Sequence, residues 1–276
     1  MAVINGYLKS FDHKNLYWYY WPANNPEGVI YLVHGMGEHA GRYEHVARYF
    51  NDKGFSCLSF DQRGHGRSEG KRGHTPSYEA LLKDIDSFIS EGQKLCGNLI
   101  PFLYGHSFGG NLVLNYPLRR KTNFRGVIST SPWLKLATPP SKSQELIANI
   151  ACVFYPSLTL KTGLKAEGLA KEKSVASDYT GDEYVHGLIT VNMYTEIKRA
   201  AHFALENASR FPLPLLLVHG DADPITSFAV SKKFADKAPH CTFKVWEGLY
   251  HETHNEANWM DVLDFNLEWM LKLINH

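Results

Sequence analysis

The stretch LIPFLYGHSFGGNLVL, residues 99–114, decides the fold class, because an apolar run leads into a serine framed by glycines and a second apolar run follows it. The first run predicts a buried strand and the second a helix. A serine on so sharp a strand-to-helix turn presents its hydroxyl, and the turn brings together the backbones two residues on either side. Gly105 and Gly109 occupy those positions without side chains. Ser107 is therefore a candidate nucleophile, and a loop serine without function is the alternative.

Strands and helices alternate along most of the chain, which predicts a mostly parallel central sheet with helices on both faces. Besides the strand at 100–104 and the helix from Ser107, the pattern predicts strands at 6–11, 16–21, 29–33, 55–60, 126–129, 213–218 and 242–246, and helices around 46–50, 78–95, 227–237 and 258–273. The alternation stops between Trp133 and about Arg210. We therefore predict one core domain, residues 1–132 and 210–276, and an inserted segment, residues 133–209, with helices and loops but no strand.

One helix of the inserted segment is amphipathic, and residues 143–145 offer capping groups for its N-terminus. Its apolar stripe comprises Leu146, Ile147, Ile150, Ala151 and Phe154. Two interpretations stay open. The helix packs within the inserted segment, or it belongs to a lid over a site.

The composition excludes several classes of partner. There are 29 basic and 28 acidic side chains, without a run of like charge, so nothing predicts binding to nucleic acid or to an anionic membrane. Four cysteines without C-x-x-C spacing predict neither a zinc site nor a disulfide framework. The first 20 residues lack the pattern of a secretory signal, and no apolar run is long enough to span a membrane. We expect a cytoplasmic protein in a reducing compartment.

A serine nucleophile needs a base and a carboxylate that orients the base. The acid candidates are Asp221 and Asp223, which follow a predicted strand, where sites of parallel sheets assemble. One of the two is expected to serve only as a helix cap or turn residue. The base candidates are His251 and His254, whose spacing does not match the i, i+4 pair of a zinc site. The order serine, aspartate, histidine is that of the α/β-hydrolase triad.

The segment VHGMGEH, residues 33–39, predicts the oxyanion-binding loop of such a site. When an acyl carbonyl is attacked, its oxygen becomes an anion that fixed backbone N–H groups stabilise. Glycines on both sides of Met36 allow the loop to fold toward the serine. We predict that the backbone N–H groups of Met36 and Phe108 form the oxyanion hole.

Together these motifs resemble the monoacylglycerol lipase and lysophospholipase branch of the α/β-hydrolases. The matching segments are HGMGEHAGRY (34–43), DQRGHGRSEG (61–70), GHSFGG (105–110), HGDAD (219–223) and GLYHE (248–252). The resemblance covers nearly the whole chain and is weakest in the inserted segment. It implies an α/β-hydrolase fold, a mostly parallel sheet with helices on both faces and an inserted helical cap.

The resemblance also implies roles for single residues. Ser107 is the nucleophile, Asp223 rather than Asp221 is the acid, and His251 is the base. The methionine that usually follows the serine is Phe108 here, which keeps the N–H but can reshape the acyl pocket.

Substrate contacts follow from the same resemblance. Glu38 and Arg42 match positions near the polar head of the substrate, with a solvated surface pair as the alternative. On the cap, Ile150 and Phe154 are expected to face the acyl chain. Residues 63–70 could be mistaken for a phosphate loop, but we favour a structural role beside the oxyanion loop.

We therefore expect a serine hydrolase that cleaves carboxylic esters through an acyl-enzyme, without metal or organic cofactor. The expected substrate is a monoacylglycerol or a similar lipid ester, with at most transient lipid contact through the cap and no stable membrane insertion. The alternatives are a lysophospholipase, a broad short-chain esterase and, from another class, a catalytically silent small-molecule receptor. Peptidases share the scaffold, but no motif marks a pocket for an amino terminus. The sequence indicates no oligomeric state.

Overall fold

A computed structural model of the chain describes residues 2–97 and 99–275, with the backbone alone at residue 149. Within these residues the strands are β1 (Ile4–Lys9), β2 (Asn15–Trp21), β3 (Gly28–Val33), β4 (Phe55–Phe60), β5 (Phe102–His106), β6 (Gly126–Thr130), β7 (Thr159–Lys161), β8 (Leu188–Thr190), β9 (Leu215–Gly220) and β10 (Cys241–Trp246). Eight of them form one sheet in the order β1-β2-β4-β3-β5-β6-β9-β10. From β4 to β10 the neighbours are parallel, and the β1–β2 and β2–β4 pairs are antiparallel.

Central strands of this sheet are buried along their whole length because helices cover both faces. Every residue of β3, β4, β5, β6 and β9 is buried. The edge strand β10, by contrast, has only exposed and half-buried positions. The predicted mostly parallel sheet is confirmed.

The helices are α1 (Glu44–Asp52), α2 (Tyr78–Cys96), α3 (Phe108–Arg119), α4 (Lys142–Phe154), α5 (Lys173–Gly181), α6 (Val191–Glu206), α7 (Phe228–Ala235) and α8 (Trp259–Ile274). Side chains from α2, α3, α6 and α7 join one buried apolar cluster, and those from α1 and α8 join a second on the other face. These two helical layers cover the two faces of the sheet. A site can therefore form in the loops at the carboxyl ends of the parallel strands.

The inserted segment differs from the sequence expectation in two respects. It contains the short antiparallel pair β7 and β8, although no strand was predicted. Helix α6 also lies within the predicted insertion, yet it buries Met193, Ile197 and Ala204 in the same cluster as α2 and α3. Packing therefore places α6 in the core, and the part of the insertion that we propose as a cap ends before Val191.

Helix α4 begins one turn from its expected caps. Ser141 is the N-cap, and its side chain and that of Gln144 form a reciprocal capping box. The predicted apolar stripe is not packed within the insertion, since Ile147 is 66% exposed, Ile150 53% and Phe154 72%. The stripe is thus exposed, although Glu145 of the same helix pairs with Lys198 of α6, and the lid interpretation stays a prediction.

Candidate active site

Ser107 lies at a strained turn between β5 and α3. Its φ of 54° and ψ of −114° lie in a region that side-chain-bearing residues rarely adopt. A Cβ on Gly105 would lie 2.4 Å from the carbonyl oxygen of Gly109, and one on Gly109 would lie 2.0 Å from that of Val33. Only glycine fits at these two positions, as the sequence pattern predicted.

The turn brings Ser107 to the two predicted partners. The Oγ atom of Ser107 lies 2.9 Å from Nε2 of His251, and Nδ1 of His251 lies 2.7 Å from Oδ2 of Asp223. With the proton on Nδ1, the ring donates to the carboxylate and its Nε2 can accept the serine proton. Asp221 is exposed and accepts a hydrogen bond from the Gly248 N–H, so it has the turn role expected for one of the two aspartates.

The order of the strands in the sheet explains why these three residues lie next to one another. Ser107 follows β5, Asp223 lies in the loop after β9, and His251 lies in the loop after β10. Strand β6 separates β5 from β9 in the sheet, and β10 is next to β9. All three loops leave the carboxyl end of parallel strands, so residues up to 144 positions apart in sequence converge.

Burial and charge set the protonation of the triad. Burial alone would lower the pKa of His251, but the Asp223 carboxylate raises this pKa above its ordinary value. Burial also opposes ionisation of Asp223, yet the charges and hydrogen bonds of His251 and His219 hold the pKa of this carboxyl well below its usual range. The arrangement thus favours an ionised acid beside a base that readily accepts a proton.

The second histidine of the loop lies elsewhere. The ring of His254 stacks on Tyr43 with centroids 5.0 Å apart, and its backbone carbonyl lies 3.0 Å from Nε2 of His45. It is 1% exposed, and burial lowers its pKa to about 3. A neutral, packed His254 fits a structural role.

The proposed oxyanion loop lies against Ser107. A Cβ on Gly35 would be 3.3 Å from Cβ of Ser107. Among residues 2–97 and 99–275, the backbone N–H groups of Met36 and Phe108 have no hydrogen-bond partner. Both are therefore available as donors, as the oxyanion prediction requires.

Comparison with known proteins identifies the family. A family model described as serine aminopeptidase, S33, matches residues 24–258. The chain belongs to this family. It is 31% identical over 260 residues to a monoacylglycerol lipase of Mycolicibacterium smegmatis, which covers 91% of this chain and 90% of the relative. A crystal structure of a monoacylglycerol lipase from Paleococcus ferrophilus has a TM-score of 0.83 at 31% identity, with 100% of both chains covered.

A third relative is longer than this chain. The chain is 38% identical over 259 residues to an uncharacterized abhydrolase domain-containing protein of Dictyostelium discoideum. The match covers 92% of this chain but 27% of that relative, so the chain spans about a quarter of its length. Taken together, the matches confirm the resemblance to monoacylglycerol lipases, the α/β-hydrolase fold and an ester hydrolase activity.

In this α/β-hydrolase, Glu38 and Arg42 do not form a solvated surface pair. Glu38 is 2% exposed, and its carboxylate accepts hydrogen bonds from the Gly35 N–H, the Tyr43 hydroxyl and the Arg42 guanidinium. The surface-pair alternative is wrong because both side chains are enclosed between the oxyanion loop and the histidine loop. Contact with a substrate head group stays a prediction.

Several residues that hold the triad were missed by sequence reasoning. Thr226 donates its hydroxyl to Asp223 Oδ2, and His219 Nε2 lies 3.0 Å from the same oxygen. Ser131, at a φ of 44°, donates its hydroxyl to the carbonyl of His251. His219 lies in the HGDAD motif and could have been suspected, but nothing in the sequence marks Ser131.

The structure also agrees with a structural role for residues 63–70. Arg63 is buried and forms ion pairs with Asp84 and Asp12. The neighbouring Asp61 accepts hydrogen bonds from the Ala40 and Arg67 N–H groups. The bond between Asp61 and Ala40 ties the segment to the residue that follows the oxyanion loop. Over the described part of the chain, no helix is long and apolar enough to cross a membrane.

Proposed function

We propose that this ester hydrolase acts on lipid esters, most specifically monoacylglycerols, with Ser107, His251 and Asp223 as its catalytic triad. The observation that carries the proposal is the unbroken chain of contacts from the serine hydroxyl through the imidazole to the carboxylate. The strained turn and the two free N–H groups beside it support the same assignment.

The reaction proceeds in two halves, acylation of Ser107 and hydrolysis of the acyl-serine. Ser107 Oγ attacks the ester carbonyl while His251 Nε2 takes the serine proton, and the resulting oxyanion accepts hydrogen bonds from the N–H groups of Met36 and Phe108. The intermediate collapses when the same proton passes to the leaving alcohol, which leaves an acyl-serine. Water then attacks the acyl-serine, gives its proton to His251, and the acid departs as Ser107 recovers its proton. Asp223 stabilises the imidazolium in both halves.

The names of two relatives and the apolar surface of the cap support a lipid ester as substrate. Helix α4 and the chain from its end into β7 expose eight apolar side chains: Leu146, Ile147, Ile150, Val153, Phe154, Tyr155, Leu158 and Leu160. Monomeric proteins rarely expose so many neighbouring apolar groups without a binding role. We propose that Ile150 and Phe154 meet the acyl chain, and that the cap makes transient contact with lipid.

A net charge near zero favours an uncharged glycerol head over phosphocholine, so a lysophospholipase is the second candidate. A broad short-chain esterase would lack any dependence on acyl length. A cytoplasmic location stays a prediction from the sequence.

Replacing Ser107 by alanine tests the catalytic proposal. We expect Ser107→Ala to lower kcat on monoacylglycerol by a factor of about 10⁴ to 10⁶ while the melting temperature stays near that of the wild type. A fluorophosphonate probe should label the wild type at Ser107 and leave the variant unlabelled. A wild type that neither reacts with the probe nor hydrolyses esters would be the silent receptor instead.

A further inference from the structure

A buried ion cluster joins the oxyanion loop to the histidine loop. The Arg42 guanidinium donates to Glu38 at 2.5 Å, and through two nitrogens to both carboxylate oxygens of Glu252, at 2.7 and 2.9 Å. Side-chain exposure is 3% for Glu38, 12% for Arg42 and 2% for Glu252. Charges this deeply enclosed are stable only when paired, and here each carboxylate is paired with the same cation.

One end of the cluster is adjacent in sequence to the proposed base, and the other end is hydrogen-bonded to the residue before Met36. Glu252 directly follows His251 in the chain. Glu38 accepts the Gly35 N–H at 2.6 Å, and Gly35 directly precedes Met36, whose N–H we assign to the oxyanion hole. The sheet positions the two loops separately, whereas the cluster fixes one directly against the other.

The carboxylates of the cluster already have their hydrogen-bond donors within the protein. Glu38 accepts from the Gly35 N–H and the Tyr43 hydroxyl as well as from Arg42, and the Asn255 side chain donates to Glu252. Glu38, His106 and Glu252 have ligand atoms within 4.8 Å of one another, but Arg42 already supplies the cation. The arrangement therefore does not suit a metal site.

We propose that Glu252, acting through Arg42 and Glu38, is a positioning residue that sets the distance between the catalytic base and the oxyanion hole. The proposal rests on the function assigned above. Misplacing a catalytic group by about 1 Å can cost a factor of about 100 in rate, so a loosened cluster lowers kcat without removing any reacting atom. For p-nitrophenyl acetate, which has neither a glycerol head nor a long acyl chain, we expect KM to change little.

The test is Glu252→Gln, which keeps the shape of the side chain and removes its charge. Activity is measured on p-nitrophenyl acetate, and kcat is divided by the fraction of protein that a fluorophosphonate labels. We expect kcat per labelled site to fall by a factor of about 10 to 100 with KM within about twofold of the wild type. Full kcat per labelled site would overturn the proposal.

Asp84→Asn is the matched control. Asp84 forms a buried pair with two nitrogens of Arg63, as Glu252 does with Arg42, but it lies on α2, away from both loops. We expect this variant to lower the melting temperature and to leave kcat per labelled site unchanged. Equal losses of kcat in the two variants would mean that any broken buried pair has this effect, and would overturn the positioning role.

A double-mutant cycle tests the connection itself. If Glu38 and Glu252 act through one link, Glu38→Gln should cost little more once Glu252→Gln is present. Independent, multiplying losses would contradict the link. Should Glu252→Gln fail to fold, the uncharged variant Glu38→Gln/Arg42→Met/Glu252→Leu removes all three charges together. A folded variant of this kind with full kcat would equally overturn the proposal.

These outcomes separate this proposal from the proposed function. A wild type without probe labelling or esterase activity removes both. A labelled, active wild type whose Glu252→Gln variant is equally active removes only the positioning role.

Discussion

His251 and His254 lie three residues apart in one loop, yet only His251 lies between Ser107 and Asp223. We expect His251→Ala to remove nearly all turnover, because no other base lies within hydrogen-bond distance of the serine in the described chain. His254→Ala removes a buried ring that packs on Tyr43, so it should lower the melting temperature and keep most of the activity per folded molecule. Kinetics and thermal unfolding of both variants check this. The reverse pattern would make His254 the base.

The pH profile depends on the charges that face His251. Burial lowers its pKa, but Asp223, Glu252 and Glu38 raise it, and the net pKa is above the ordinary value of about 6.5. Only the neutral ring accepts the serine proton, so kcat/KM should fall as pH drops through a midpoint above about 6.5. The residual activity of Asp223→Asn, which lacks the main raising charge, should have its midpoint at lower pH. A wild-type midpoint below 6.5 would contradict this account.

The proposed catalytic residues could be predicted from the sequence because the geometry of their turns requires particular residue types. The turn at Ser107 demands glycine on both sides, and this demand is visible in the sequence. The pairing of Arg42 with Glu252 spans 210 positions and depends on how two loops pack, which no local pattern records. Likewise, Ser131 adopts its positive φ only because the tertiary structure holds it there.

Secondary-structure elements also differ in how well the sequence predicts them. Strand β4 was predicted with the bounds that the structure has, since a buried apolar run bounded by turn residues is a strong signal. The three-residue strands β7 and β8 were missed because they are stabilised by pairing with each other rather than by pattern. Helix α4 was found, but periodicity reports an apolar stripe without saying whether anything covers it.

That stripe leads to a prediction for α4. Ile150 is 53% exposed, so Ile150→Asp should cost little stability. If the stripe meets acyl chains, a charge there should lower kcat/KM for long-chain esters by a factor of about 10 or more, since each buried methylene contributes about 0.8 kcal/mol, and leave acetate esters nearly unaffected. Ser143→Asp places the same charge on the same helix outside the stripe and should affect neither substrate. Equal losses on both esters, together with a lower melting temperature, would remove the lid role of α4 and leave the triad assignment intact.

Across the whole molecule, buried histidines are concentrated around the site. His34, His65, His106 and His254 are at most 1% exposed, and burial lowers the pKa of each, to about 3 for His34 and His254. The packing that holds the oxyanion and histidine loops in place therefore depends on these rings staying neutral. Their position makes the stability of the fold sensitive to pH in a range where few carboxyl groups titrate.

Acid should therefore unfold this protein at a pH above the range of carboxyl titration. Below about pH 6.5 the unfolded chain binds a proton at each of these histidines while the native state does not, so the free energy of unfolding falls by about 1.4 kcal/mol per pH unit for each. His251, whose pKa is raised, takes up its proton in the native state and offsets part of this loss. Urea unfolding at pH 7.5, 6.5 and 5.5 measures the slope, and His254→Gln should reduce it by about one proton. The free energy of unfolding could instead stay constant from pH 7.5 to 5.5. That result would mean that these rings are charged in the native state or reach solvent through local opening. The rigid packing of neutral rings described around the triad would then be wrong.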